Sequence, residues 1–268
     1  MKDVQIFSIG DELLRGVVQD SNSHWMAQRI AARGARLTRV VVLPDDPPVC
    51  AEEIRAALRR SPALLITQGG LGPTDDDRTR EAIALGTDRP IEPHAGAEAI
   101  VRRRYAELAG AGRVSDAELH EARLRMAHLP RGARALDNQI GAAPAVVLEV
   151  GNTTIVALPG VPPELHWIWE NPLEAELDRI LGPGGFAEKT VTLDLRDESA
   201  IATMLREIAA KHPNVYVKSR AKGFEKGEEV RVTLTAAGED DAAARKLVDT
   251  AFGELREQLQ SAGISFLD

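Results

Sequence analysis

The segment ALLITQGGLGPTDDDRTREAIALG, Ala63–Gly86, changes character twice. Ala63–Thr67 is a short apolar run with the pattern of a buried strand. Three glycines, a proline and three consecutive aspartates follow within Gly69–Asp77. Thr74 and Asp77 have capping-box spacing, which predicts a helix from Thr74 to about Leu85, ended by Gly86. Strand, glycine loop and helix in this order is the opening of a β-α-β unit.

The chain before it repeats the alternation. VQIFSI, Val4–Ile9, reads as a strand that ends at Gly10. SNSHWMAQRIAARG reads as a helix capped by Ser21 or Ser23 and stopped by Gly34. RLTRVVVL, Arg36–Leu43, is β-branched and strand-like. In DDPPVCAEEIRAALRR, Asp46 is placed to cap and Pro47 to start a helix whose apolar face holds Cys50, Ile54, Ala57 and Leu58. The order β-α-β-α-β predicts an α/β domain with a parallel sheet and helices on both faces. Ligands of such sheets bind beyond the carboxyl ends of the strands. Two acidic motifs fall there, GDELL after the first strand and GGLGPTDDD after the third.

Further on, helices are predicted over Pro93–Ala109 and Ser115–Ala127, the second opened by a Ser115–Glu118 capping box. AVVLEV and TTIVAL flank Gly151-Asn152 and read as a hairpin. LPGVPPELHWIWENPLEAELDRIL reads as a turn and a helix interrupted at Pro172. GPGG, Gly182–Gly185, is the linker, giving domains of residues 1–180 and 186–268. The second reads as a small α+β unit of β-α-β-β-α order: Lys189–Leu195, Glu198–Lys211, Asn214–Ser219, Glu229–Ala236 and Asp240–Gln260.

The composition is 44% hydrophobic and 28% charged, ordinary for a globular chain. A net charge of −8 argues against non-specific duplex binding, which needs a basic footprint. Lys218, Arg220, Lys222 and Lys226 form a local basic run, diluted by Glu225, Glu228 and Glu229; a solvated face is the favoured reading over a KH-like single-strand site. Cys50 is the sole cysteine and reads as buried filler. There is no secretory pattern, and no stretch approaches the roughly 20 apolar residues of a membrane span, so a cytoplasmic protein is expected. Trp25, Trp167 and Trp169 are expected in the core or an interface. The scattered histidines give no zinc spacing, and no serine-hydrolase elbow is present.

Gly69, Gly70 and Gly72 allow the backbone to approach a ligand, and N–H groups at a helix start suit a phosphate. Three carboxylates in a row oppose an anion unless a cation lies between. A hard cation, Mg²⁺ or Mn²⁺, resolves this, because it takes carboxylate and phosphate ligands together. Asp11 and Glu12 are a second carboxylate pair, and Asp20, Ser21, Asn22 and Ser23 add small polar groups. Helix-start decoration is the competing account of the aspartates.

The motif series IGDELL, D-x-N at Asp20 and Asn22, GGLGPTDDDxT, LP-x-GA around Pro130, N-x-x-G-x-A-P from Asn138 to Pro144 and LPGVPPEL from Leu158 to Leu165 resembles the MoaB/Mog family of molybdopterin-binding-like domains. The branch it resembles is the N-terminal region of CinA-type competence/damage-inducible proteins. The resemblance covers about residues 3–180. It implies a three-layer α/β/α domain with a mostly parallel sheet, and a dimer or trimer. It implies that the glycine loop binds a pterin phosphate and that Asp77 supports metal-dependent chemistry at a phosphoanhydride, with Mg²⁺, Mn²⁺ or Co²⁺. For CinA-like domains it implies cleavage of ADP-ribose and related dinucleotides. The deamidase domain of longer CinA proteins has no counterpart before Asp268. Where the family commonly has GTAPG, this chain has GAAPA, Gly141–Ala145, and of the basic run before Pro130 it keeps Arg125.

Two functions follow as expectations. The first is metal-dependent pyrophosphatase action on an ADP-ribose-like dinucleotide. Asp77, Asp76 and Asp11 would be catalytic, and Asp77, Asp75 and Glu12 would hold metal. Gly10, Asp20, Asn22, Gly69, Gly70, Gly72, Pro73, Thr74, Arg125, Gly141, Pro144, Pro159 and Gly160 would line the substrate site. The second is a module that binds molybdopterin or a nucleotide without turning it over.

Overall fold

The computed structural model describes residues 2–195, 197–221 and 229–267. The chain forms two compact units, Met1–Ile30 with Arg36–Gly182, and Ala31–Ala35 with Pro183–Asp268. The first runs β1 (Asp3–Ile9), α1 (Asp11–Leu14), α2 (Ser21–Ala32), β2 (Arg36–Leu43), α3 (Pro47–Arg60), β3 (Leu64–Gln68), α4 (Thr79–Gly86), β4 (Ile91–Pro93), α5 (Ala95–Gly110), α6 (Glu121–Arg125), β5 (His128–Pro130), β6 (Arg134–Leu136), β7 (Ala145–Val150), β8 (Thr153–Leu158), α7 (Pro162–Glu170) and α8 (Glu174–Leu181).

Its main sheet has the order β2-β1-β3-β8-β7-β6. The first four strands are parallel, and β7 and β6 complete the sheet antiparallel. β1 is buried from Val4 to Ile9 because both its faces are covered. Successive residues point to opposite faces. Phe7, Ile9 and Leu65 join Cys50, Ile54, Ala82, Ile83, Ala97 and Val101 in one core, so α3, α4 and α5 cover that face. On the other side Met26 and Ile30 of α2 and Leu165 and Ile168 of α7 are buried, and Trp25 stacks on His166 at 4.1 Å. The result is the expected three-layer α/β domain with a largely parallel sheet. Burial of each large side chain among them, such as Phe7, Ile54 or Leu165, stabilises by about 1.5–3 kcal/mol.

Local signals hold at several places. Asp46 caps α3 by accepting from the Val49 N–H at 3.2 Å. The hairpin turns at Gly151, and the α7–α8 helix breaks around Pro172. Cys50 is buried, and its thiol is pushed up to about 11 by desolvation. Among the described residues no helix is long and apolar enough to cross a membrane.

Two helices differ from expectation. α4 begins at Thr79, not Thr74. Half of the capping box forms: the Asp77 carboxylate accepts from the Thr74 N–H at 2.9 Å. The turn goes no further, because Thr79 is committed to the glycine loop through its N–H and hydroxyl. The Ser115–Ala127 helix shrinks to α6. Arg123, nearly fully buried, takes the Asp116 and Glu118 carbonyls and the Asp116 carboxylate as acceptors, which holds 116–118 out of a helix.

The second unit holds β9 (Gly185–Asp194), a 3₁₀ turn (Glu198–Ile201), α9 (Ala202–Lys211), β10 (Val215–Ala221), β11 (Glu229–Gly238), α10 (Asp241–Ser261) and β12 (Phe266–Leu267). Its antiparallel sheet has the order β10-β11-β9-β12, with α9 and α10 contributing to one apolar core. β12 carries no turn signal and was not expected. Lys218 and Arg220 lie on β10, whereas Lys222, Glu225, Lys226 and Glu228 lie outside the described residues.

Candidate functional site

The parallel strands bring four turns together at their carboxyl ends. Gly10 follows β1, Asp45 follows β2, Gly69–Gly72 follow β3 and Pro159-Gly160 follow β8. They border a cleft of about 650 Å³. That volume suits a drug-sized ligand.

The glycine loop is fastened from behind. The Gly69 N–H donates to the Leu158 carbonyl at 3.0 Å. The Gly69 carbonyl accepts from the Thr79 hydroxyl at 2.8 Å, and the Gly70 carbonyl from the Thr79 N–H at 3.1 Å. Arg80 donates to the Leu71 and Gly72 carbonyls at 2.6 and 3.1 Å. In a trans peptide the C=O and the following N–H point in opposite directions. The N–H groups of Gly70, Leu71 and Gly72 are therefore turned away from Thr79 and Arg80. None of the three has a partner among the described residues, and all three residues line the cleft. Arg80 is buried, and desolvation lowers its pKa to about 10, opposed by the neighbouring Asp77. Arg80 thus remains a cation at neutral pH behind the loop.

The three aspartates have different surroundings. Asp76 and Asp77 line the cleft. The Thr74 hydroxyl lies within hydrogen-bond reach of both and has one proton to share between them, and its bond to Asp76 holds that carboxyl below its ordinary range. Asp75 pairs with Arg125 at 2.8 Å, and Arg125 also donates to the Pro73 carbonyl at 3.0 Å. Thr74, Asp75 and Arg125 do not line the cleft; they fasten its glycine loop from outside, whereas Pro73 does line it.

In the first acidic turn, Gly10 and Glu12 line the cleft and Asp11 does not. Asp11 pairs with Arg15 at 2.9 Å, and its N–H donates to Asp45 Oδ2 at 2.9 Å. Asp45 joins the cleft instead. It was hidden beside Asp46, whose capping role explained the acidic pair, although its place past a parallel strand was the available signal. Burial raises the Asp45 pKa, reinforced by Glu12, Asp11 and Asp76. A carboxyl with a raised folded pKa weakens folding above that pKa and ceases to do so below its unfolded value. Asp45→Asn is therefore expected to be more stable than the parent at pH 7. The two should converge below about pH 4 in urea unfolding compared across pH. Among the described residues no three His, Cys, Asp or Glu side chains converge to hold a metal by themselves.

Asp20 and Asn22 lie under the cleft, not in its lining. Asp20 caps α2 in place of Ser21 or Ser23, accepting from the Ser23 N–H at 2.9 Å. It also accepts from Ser8 Oγ at 2.6 Å and Gln68 Nε2 at 3.0 Å. Asn22 Nδ2 donates to Gln68 Oε1 and to the Gly160 carbonyl, both at 2.8 Å. This buried polar network connects β1, β3 and α2 to the Pro159-Gly160 turn.

The far wall is built by Asn138. Its side-chain oxygen accepts from the Ile140 and Gly141 N–H groups, and its Nδ2 donates to the Ala143 carbonyl and Glu164 Oε2. Ala142 and Ala143 line the cleft, whereas the expected Gly141 and Pro144 do not. Tyr105, Met126 and Glu164 complete that wall. Sequence reading missed Tyr105 and Met126 because a single aromatic or Met within a helical stretch carries no site signal, whereas Glu164 lay within the LPGVPPEL motif, whose Pro159 and Gly160 alone were singled out. Asn138→Ala leaves two amides unpaired in a loop around a fully buried position. An expected loss of about 2 kcal/mol follows, measured by urea unfolding.

Comparison with known proteins agrees with this architecture. Residues 5–179 match the family described as "Probable molybdopterin binding domain". A protein of Aeropyrum pernix is 37% identical over 261 residues, spanning 96% of this chain and 94% of the relative. One of Pyrococcus abyssi is 37% identical over 262 residues, spanning 98% and 97%. Among solved structures, the protein CinA, of unknown function, from Thermoplasma acidophilum superposes with a TM-score of 0.59 at 28% identity, covering 66% of this chain and 99% of that one. Four converging strand-end turns, the glycine loop and these matches have one conclusion: the chain belongs to the MoaB/Mog-like family of probable molybdopterin binding domains.

Proposed function

We propose that the cleft binds a phosphorylated pterin of the molybdopterin class, with the phosphate on the Gly70–Gly72 amides, and that binding without turnover is its function. The observation that carries this reading is the run of three N–H groups without partners, backed by the Arg80 cation. Convergent backbone amides in a loop form an anion-binding concavity. The family description names molybdopterin, which supports a pterin over an ADP-ribose-like dinucleotide. The carboxylates fit a divalent cation only together with a ligand, since a hard cation uses one or two carboxylates plus phosphate oxygens. Asp77 and Asp76 are the residues that would hold Mg²⁺, Mn²⁺ or Co²⁺, which would neutralise phosphate charge.

The test is titration calorimetry with 6-hydroxymethylpterin phosphate and its dephosphorylated form, with and without Mg²⁺. The phosphate is expected to add at least about tenfold in affinity, as charge-assisted bonds do. Equal binding of both forms would remove the phosphate site. Turnover of ADP-ribose with metal, and no pterin binding, would replace this reading with the hydrolase one.

A further inference from the structure

Glu164 is a carboxylate that the binding scheme above does not use. It stands in the first turn of α7 and lines the cleft, on the wall it shares with Tyr105, Met126, Ala142 and Ala143. Burial raises its pKa, opposed by the Asn138 hydrogen bond and by Arg104. Its Oε2 accepts from Asn138 Nδ2 at 2.7 Å. Its Oε1 has no hydrogen-bond partner among the described residues.

The position is built. Asn138 is fully buried and fixed by three further hydrogen bonds to its own loop. Arg104 holds that loop by donating to the Gly141 carbonyl at 2.7 Å and the Ile140 carbonyl at 3.1 Å. A Cβ on Gly141 would lie 1.9 Å from Glu164 Oε2, so the loop closes on the carboxylate only because that residue is glycine. A carboxylate held this way accepts paired N–H donors and repels lone pairs.

Resting on the phosphopterin reading, we propose that Glu164 recognises the ring of the ligand. Its carboxylate accepts the adjacent N–H donors of a 2-amino-4-oxopyrimidine edge, the edge shared by pterin and guanine. Adenine presents a donor beside an acceptor lone pair, which the carboxylate disfavours. The Gly70–Gly72 amides and Glu164 then divide the work: the loop reads the phosphate and the wall reads the base.

The test compares the parent with Glu164→Gln by calorimetry on the full chain. The probes are 6-hydroxymethylpterin phosphate, the matching lumazine phosphate with a 2-oxo group, GMP and AMP. Gln keeps an acceptor for Asn138 and replaces the other oxygen with a donor. The parent is expected to prefer the pterin to the lumazine by roughly tenfold or more, and the variant to lose or invert that preference with AMP binding no weaker. An equal weakening of all four ligands would show a merely structural role and overturn the proposal, as would an unchanged pterin preference. GMP binding without pterin binding keeps the edge recognition and overturns the pterin reading. A parent that binds neither ring type overturns both.

Discussion

Replacing Gly69 by alanine is expected to destabilise the fold by roughly 3–5 kcal/mol. Gly69 has φ of +95°, outside the region that L residues enter at low cost. A Cβ there would meet the Ile9 carbonyl oxygen at 2.2 Å. That atom cannot step aside cheaply, since β1 is paired with β2 through Ile9 and with β3 through Ser8, and is buried to Ile9. Backbone strain and collision therefore add. Gly151→Ala separates them: its φ is +59° with open space around the added carbon, so strain alone acts, about 1–2 kcal/mol. Urea unfolding of both variants at constant m value measures the difference. If Gly69→Ala costs no more than Gly151→Ala, the close approach to β1 is not why the loop has glycine here.

The sheet was legible because its strands are short apolar runs separated by good punctuation. Val4–Ile9, Arg36–Leu43 and the Gly151 hairpin each carry a period or turn signal that packing reinforces. The misreadings arose where one local signal has two structural outcomes. Thr74-x-x-Asp77 forms its reciprocal hydrogen bond without a helix, because Thr79 is needed to hold the Gly69 and Gly70 carbonyls. Ser115-x-x-Glu118 gives way to a buried Arg123 that requires carbonyl acceptors. Asp20 and Asn22, small polar residues at a helix start, suit a ligand contact as well as the commoner task of capping, and Asp20 takes the capping role. Their hydrogen bonds show them bracing Gln68 and Gly160. The far wall was out of reach for another reason. Tyr105, Met126 and Glu164 are distant in sequence and come together only as walls of the folded cleft, where Asn138 holds Glu164.

Arg80→Met is expected to abolish most of the phosphate increment in ligand affinity, a loss of about 10- to 100-fold, while leaving the dephosphorylated pterin bound as before. Methionine matches the length of the arginine stem and removes a charge whose burial is unfavourable, seen in the lowering of its pKa to about 10. Against that gain, the Leu71 and Gly72 carbonyls lose their donors. The two effects oppose each other, so stability changes less than affinity. Affinity falls for two linked reasons. The cation behind the loop is gone, and nothing then fixes the Leu71 and Gly72 carbonyls away from the cleft. If the Leu71 carbonyl rotates inward it carries the Gly72 N–H outward, because the peptide is planar, and the anion loses that donor as well as a charge. Calorimetry of the phosphorylated and dephosphorylated pterin against parent and variant separates the terms. Equal losses for both ligands would mean that Arg80 shapes the cleft generally. An unchanged phosphate increment would mean that neither the Arg80 charge nor its hold on the Gly72 amide contributes to anion binding, leaving the Gly70 and Leu71 amides that Thr79 orients.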